Sequence, residues 1–133
     1  MRATARRTDG YTHEVEIEGG HTLVIDEPVD SGGNDRGPSP TRTVAAALAA
    51  CTAITVEMYA ERKQWELGDV EVDVDLTYGR ASSIEELTVT LRIGEHLSDE
   101  QRDKLLVIAG RCPIHRALTG ETKVTVNDRI ESA

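Results

Sequence analysis

The sequence predicts an α+β fold on three observations: paired segments of alternating apolar and polar residues, a long unbroken helical window between them, and a second capped helix after them. Their order, strands then helix then strands then helices, lacks the regular strand–helix repeat of a wound parallel sheet. At 133 residues the chain is expected to form a single domain, residues 1–133.

Residues 2–8 are an edge-strand candidate, followed by the turn signal Asp9-Gly10. In residues 11–18, Tyr11, His13, Val15 and Ile17 alternate with Thr12, Glu14 and Glu16, the period of a half-buried strand. Gly19-Gly20 supplies the positive φ of a tight hairpin turn, and a second strand carries Leu23 and Ile25 on one face. Residues 27–38 are rich in Gly, Pro, Asp and Ser without periodicity, a loop long enough to suspect function.

Ser39 then offers an N-cap side chain and Pro40 the preset φ of a first helical position. No Gly or Pro follows until beyond Lys63, so a helix of roughly 35 Å is expected over residues 40–63. Its stretch from Val44 to Val56 is apolar or small on every side, the pattern of a helix buried all round. So long an apolar helix is hard for so short a chain to enclose, which predicts a homodimer sharing the core.

Beyond the helix, Val70, Val72, Val74, Leu76 and Tyr78 alternate with Glu71, Asp73, Asp75 and Thr77, and Leu87, Val89, Leu91 and Ile93 with Thr88, Thr90 and Arg92, giving a second hairpin. Ser98-Asp99-Glu100-Gln101 is a capping-box pattern opening a helix that should turn Leu105, Leu106, Ile108 and Ala109 inward and stop at Gly110. Cys112 and Pro113 are placed to cap and start a short third helix. Val124 and Val126 suggest a final strand.

The net charge of −9 repels phosphate backbones and anionic lipid surfaces, so neither nucleic acid nor membrane is an expected partner. The first residues lack the apolar core of a secretory signal, and the run from Val44 to Val56 is short for a bilayer span; the expectation is a cytoplasmic protein. In that compartment two cysteines are expected to be redox-active, catalytic or simply buried rather than a permanent staple.

On local chemistry Cys112 is the first choice of reactive thiol, since a helix N-terminus and the nearby Arg111, His115 and Arg116 favour a thiolate. Cys51 has no charged residue within four positions on either side. Burial alone would keep it protonated, and it packs equally well as a small hydrophobe. To react it needs a cation from elsewhere, with Arg36, Arg6, Arg7 and Arg42 as candidates. No metal site is expected, because Cys112 and His115 make only one ligand pair of the kind zinc requires. Gly32-Gly33 and Gly37 fit no phosphate-binding pattern.

Gly32-Gly33 with Gly37-Pro38-Ser39-Pro40, the Ala-Ala-Leu-Ala-Ala-Cys-Thr-Ala of residues 46–53, and Arg111-Cys112-Pro113-Ile114-His115 together resemble the OsmC/Ohr family of osmotically induced and organic-hydroperoxide-resistance proteins. The resemblance runs along nearly the whole chain. It implies an OsmC-like intertwined homodimer with long central helices packed against antiparallel sheets. It also implies a thiol-dependent peroxidase in oxidative stress defence: Cys51 attacks an organic hydroperoxide and becomes a sulfenic acid, Cys112 condenses with it as a disulfide, and an external dithiol reductant resets the pair without a bound cofactor. This reverses the local ranking of the two thiols. Arg36 is the cation assigned to Cys51.

One departure stands out. Family members with established peroxidase activity carry a Glu near the start of the central helix that holds an Arg against the thiolate, and here that stretch is Thr41-Arg42-Thr43. The alternative expectation is therefore a non-enzymatic OsmC-like dimer, a thiol redox sensor or a binder of small hydrophobic molecules.

Overall fold

The computed structural model describes residues 1–127, 130 and 131. Three strands, β1 (Ala3–Asp9), β2 (Thr12–Ile17) and β3 (His21–Ile25), precede the helix α1 (Pro40–Lys63). The hairpin β4 (Val70–Tyr78) and β5 (Ile84–Ile93) follows, then α2 (Asp99–Ala109) and the one-turn α3 (Pro113–Arg116). The α+β class expected from the order of signals is what the chain forms. It divides into two compact units, Met1–Ala49 with Asp73–Thr90 and Ala50–Val72 with Leu91–Ala133.

In the first unit β1, β2 and β3 form an antiparallel meander with β2 central; Val15 faces Ala5 on one side and Leu23 on the other. Gly19 and Gly20 take φ of 110° and 95° at the β2–β3 turn, a conformation only glycine adopts without strain. The loop after β3 is organised by Asp26, whose buried carboxylate accepts the Thr12 hydroxyl at 2.6 Å and the backbone N–H groups of Glu27, Arg36 and Asn34 at 2.7, 3.2 and 3.4 Å. Four donors on one carboxylate fold a segment that has no hydrophobic core of its own. Gly33 and Gly37 lie where the loop backbone meets the carbonyls of Glu27 and Val24; a Cβ at either position would overlap them.

Ser39 caps α1 as expected, its hydroxyl accepting the Arg42 N–H at 3.3 Å. At the other end Gln64 adopts a left-handed φ of 58°. Its N–H and that of Trp65 return to the carbonyls of Glu61 and Ala60, a Schellman closure formed without glycine. Arg62 and Lys63 sit in this last turn, where the helix dipole favours them.

The expectation that α1 is buried all round is not met within one chain. Leu48, Thr52, Val56 and Ala60, spaced four apart, form one buried row. Ala47, Ala50, Ile54 and Met58 lie exposed along another, Ile54 at 52% and Met58 at 58%. An all-apolar helix has no preferred face, and neighbouring elements cover only one. By length and a mean hydropathy of 1.5 over its most apolar 18 residues, α1 is long and apolar enough to cross a bilayer, a property it shares with the core helices of soluble proteins.

In the second unit Val56 and Ala60 of α1 pack with Leu67 and with Leu105 and Ala109 of α2, flanked by Tyr59, Trp65, Val70, Leu91, Ile93 and Leu97. The capping box of α2 forms in both directions, Gln101 N–H to Ser98 Oγ at 3.1 Å and Ser98 N–H to Gln101 Oε1 at 3.0 Å. Leu105, Ile108 and Ala109 turn inward, but Leu106 does not: one position along a helix is a rotation of about 100°, which carries it to the open side. The expected final strand is not formed among the described residues either: Val124 and Val126 lie outside any strand and are 86% and 91% exposed.

Candidate functional site

The middle of α1 presents Cys51, half-buried, beside the fully buried Thr52. The second sulfur arrives from the end of α2. Beyond Gly110, the N–H groups of Arg111 and Cys112 return to the carbonyls of Ile108 and Ala109. Cys112 is then extended, with φ −63° and ψ 145°, and becomes the N-cap of α3. Its Sγ accepts the His115 N–H at 3.3 Å, and its carbonyl accepts the Arg116 N–H at 3.0 Å, the first bond of the helix. Pro113 occupies the first helical position, where the missing N–H costs nothing. The cap expected from Cys112-Pro113 is therefore formed.

The N–H groups left over by this short helix serve both sulfurs. That of His115 goes to Cys112, and that of Ile114 points at the Cys51 thiol. Burial pushes the Cys51 thiol above its ordinary range; the Ile114 N–H opposes this, the neighbouring Cys112 adds to it by hydrogen bond and by charge, and the Thr55 hydroxyl opposes it. The two thiols are thus neighbours, and in this arrangement Cys51 is held as the thiol. Cys112 is fully buried, with Thr52 Oγ1 3.8 Å from its sulfur.

Among the described residues, the groups acting on Cys51 are the Ile114 N–H, Cys112 and the Thr55 hydroxyl, none of them a cation. Arg36 belongs to the first unit, where its N–H donates to Asp26 and its guanidinium stands 3.9 Å from Asp9, both side chains largely exposed. Of the cations near Cys112 in sequence, Arg116 forks onto Glu121 with bonds of 3.0 to 3.2 Å, and Arg111 is exposed. Among the described residues no three of His, Cys, Asp and Glu come together as a metal site.

Sequence reasoning chose the two cysteines and missed three groups around them. Thr52 and Thr55 were visible as lone hydroxyls in an apolar helix. Ile114 acts through its backbone, and the only hint was Pro113, which marks where unpaired N–H groups begin. Asp26, which orders the Arg36 loop, gave no signal because its partners are mostly backbone N–H groups of the residues that follow.

Several solved structures share the fold. The OsmC-like protein of Mycoplasma pneumoniae superposes with a TM-score of 0.76 at 18% identity, covering 90% of this chain and 87% of that one. The organic hydroperoxide resistance protein OsmC of Legionella pneumophila gives 0.64 at 25% identity, covering 90% of each chain. The organic hydroperoxide resistance protein OhrB of Bacillus subtilis gives 0.62 at 22%, covering 91% of this chain and 93% of that one. No curated protein matches the sequence. The family model for OsmC-like proteins matches residues 32–127, which hold the glycine-rich loop, α1 with Cys51, and the Cys112 turn: the chain belongs to the OsmC-like family.

Proposed function

We propose that the protein is a thiol-dependent peroxidase that reduces organic hydroperoxides and serves in oxidative stress defence. The observation that carries this reading is the placement of Cys51 against Cys112, with the Ile114 N–H directed at the Cys51 sulfur. In the first step the Cys51 thiolate attacks the terminal peroxide oxygen. The O–O bond breaks, the alkoxide leaves with a proton as alcohol, and the sulfur, oxidised by two electrons, becomes a sulfenic acid. Cys112 then attacks that sulfur, the S–S bond forms, and hydroxide departs with the Cys112 proton as water. An external dithiol is oxidised to its own disulfide and returns both thiols, so no bound cofactor is required.

Burial and Cys112 hold Cys51 as the thiol at rest, so its ionisation is the step that needs help. Arg36 is assigned that part. Its exposed pair with Asp9 at 3.9 Å is of the kind worth about 0–1 kcal/mol. We further assign a cytoplasmic homodimer, with the open row of α1 covered by a second copy. The net charge of −9 argues against nucleic acid and anionic membrane as partners.

The test is consumption of cumene hydroperoxide with dihydrolipoamide as dithiol. Turnover by the wild type that vanishes in Cys51→Ser supports the reading; no turnover, or equal turnover by the variant, removes it. A second reading, a redox sensor that is oxidised without turning over, is favoured by the raised Cys51 thiol and by Thr41-Arg42-Thr43 in place of the family's Glu. It predicts oxidation by one equivalent of peroxide and no catalytic cycling.

A further inference from the structure

The buried row of α1 is Leu48, Thr52, Val56 and Ala60, apolar at every position but one. Thr52 is 1% exposed, and a hydroxyl taken out of water without a partner costs on the order of a few kcal/mol. Valine would fill the same volume without that demand and with similar helix propensity. A helical threonine commonly turns its hydroxyl back to the carbonyl four residues earlier, as Thr43 does to Ser39 at 2.8 Å. Thr52 instead faces Cys112, with Oγ1 3.8 Å from Sγ.

We infer that Thr52 is the positioning residue of the second cysteine: its hydroxyl holds the Cys112 sulfur in place as the thiol and turns to donate to it when the proton leaves. The inference rests on the peroxidase reading for its consequence and on the hydrogen bond for its existence. A hydroxyl rotates freely between accepting and donating. In this scheme the S–H of protonated Cys112 donates to Thr52 Oγ1, one of the two directions the 3.8 Å contact allows. Once the proton leaves, the Thr52 O–H and the His115 N–H both face the thiolate, two donors in a buried site. Thr52 serves the disulfide-forming step in this scheme. Consecutive helical side chains do not face one another, so the adjacent Cys51 is outside its reach.

The titratable group facing Cys112 from α1 is Cys51, which lies against it. On α3, half-buried His115 follows it and Arg116 is committed to Glu121; Arg111, just before it, is exposed. The α2 residues turned inward nearest to it in sequence, Ile108 and Ala109, do not titrate.

Wild type, Thr52→Val and Thr52→Ser are oxidised with one equivalent of cumene hydroperoxide and quenched at intervals with dimedone, and Cys51 sulfenate and disulfide are followed by mass. In Thr52→Val the sulfenate is expected to persist about tenfold longer at neutral pH, the loss of one hydrogen bond to a charged group. Thr52→Ser restores the wild-type decay. A sulfenate in Thr52→Val that decays as in wild type, or a serine variant no better than valine, overturns the role. An independent readout is the S–H stretching band in Cys51→Ser, where Cys112 is the remaining thiol of the two cysteines. Thr52→Val should shift that band to higher frequency, and an unmoved band overturns the hydrogen bond itself. A wild type that forms neither sulfenate nor disulfide overturns the peroxidase reading, and the band then decides on Thr52 by itself.

Discussion

The double substitution Ile54→Gln, Met58→Gln tests whether the open row of α1 is the face on which two copies meet. Ile54 and Met58 are 52% and 58% exposed, so about half of each side chain is left to bury. Full burial of such a side chain is worth about 2 kcal/mol, so covering the open half gives about 1 kcal/mol each. A twofold interface repeats both residues, and the four contributions sum to about 4 kcal/mol, roughly a thousandfold in dissociation constant. Glutamine keeps helix propensity close to that of methionine, so secondary structure should survive. Sedimentation velocity over a concentration series reads the effect. The wild type is expected as a dimer whose melting temperature rises with concentration, and the variant as a folded species dissociating at concentrations about a thousandfold higher. A wild type that is monomeric at tens of micromolar, or a variant dissociating within threefold of it, refutes the reasoning. Co-sedimentation of the wild type with neutral lipid vesicles would assign the face to a bilayer instead.

Three further outcomes follow from the geometry. The Asp26 carboxyl is lowered to about 2 from an ordinary 3.8, chiefly by the Thr12 hydroxyl, with help from the N–H groups of Glu27, Arg36 and Asn34. Its stabilisation is therefore complete above pH 4 and lost as pH falls from about 4 to 2. Asp26→Asn should lower the urea midpoint at pH 7 and converge on wild type by pH 2, and a gap independent of pH would contradict this. Gly33→Ala drives a methyl into the Glu27 carbonyl, which is itself held by the Asp35 N–H at 3.1 Å, so a loss of about 1–3 kcal/mol is expected from urea unfolding; an unchanged midpoint would show that the loop gives way freely. Because burial and the Cys112 charge both push the Cys51 thiol up, its alkylation by iodoacetamide should still be climbing above the usual thiol range. Cys112→Ser removes one of those causes and should move the profile to lower pH, whereas an upward shift would mean that Cys112 aids the thiolate.

What the sequence revealed was local. Ser39, the pair Ser98 and Gln101, and Cys112 with Pro113 all cap helices as read, because a cap is decided within three or four residues. The hairpins followed from alternation that also fixes their faces. Direction around α1 was illegible for the opposite reason: a helix apolar on every side points nowhere until its neighbours are placed. Leu106 is exposed because neighbours in an apolar run point about 100° apart around a helix, so the run cannot all face inward. The left-handed Gln64, Ala81 and Ser82 gave no glycine to announce them. At the site, residue types marked the cysteines, but their surroundings join distant parts of the chain: Thr52 and Cys112 are 60 positions apart. The loop around Asp26 belongs to the same class, since backbone N–H groups leave no trace in the letters of a sequence.

If the Cys51 and Cys112 sulfurs form a working pair, oxidation must join them. Trypsin should release Cys51 in peptide 43–62 and Cys112 in peptide 112–116, so a link between them is read directly by mass. After one equivalent of cumene hydroperoxide, these two peptides are expected joined with the loss of two hydrogens, and separated again by dihydrolipoamide. Two unlinked peptides, with Cys51 either untouched or carried on to sulfinic acid, would contradict it.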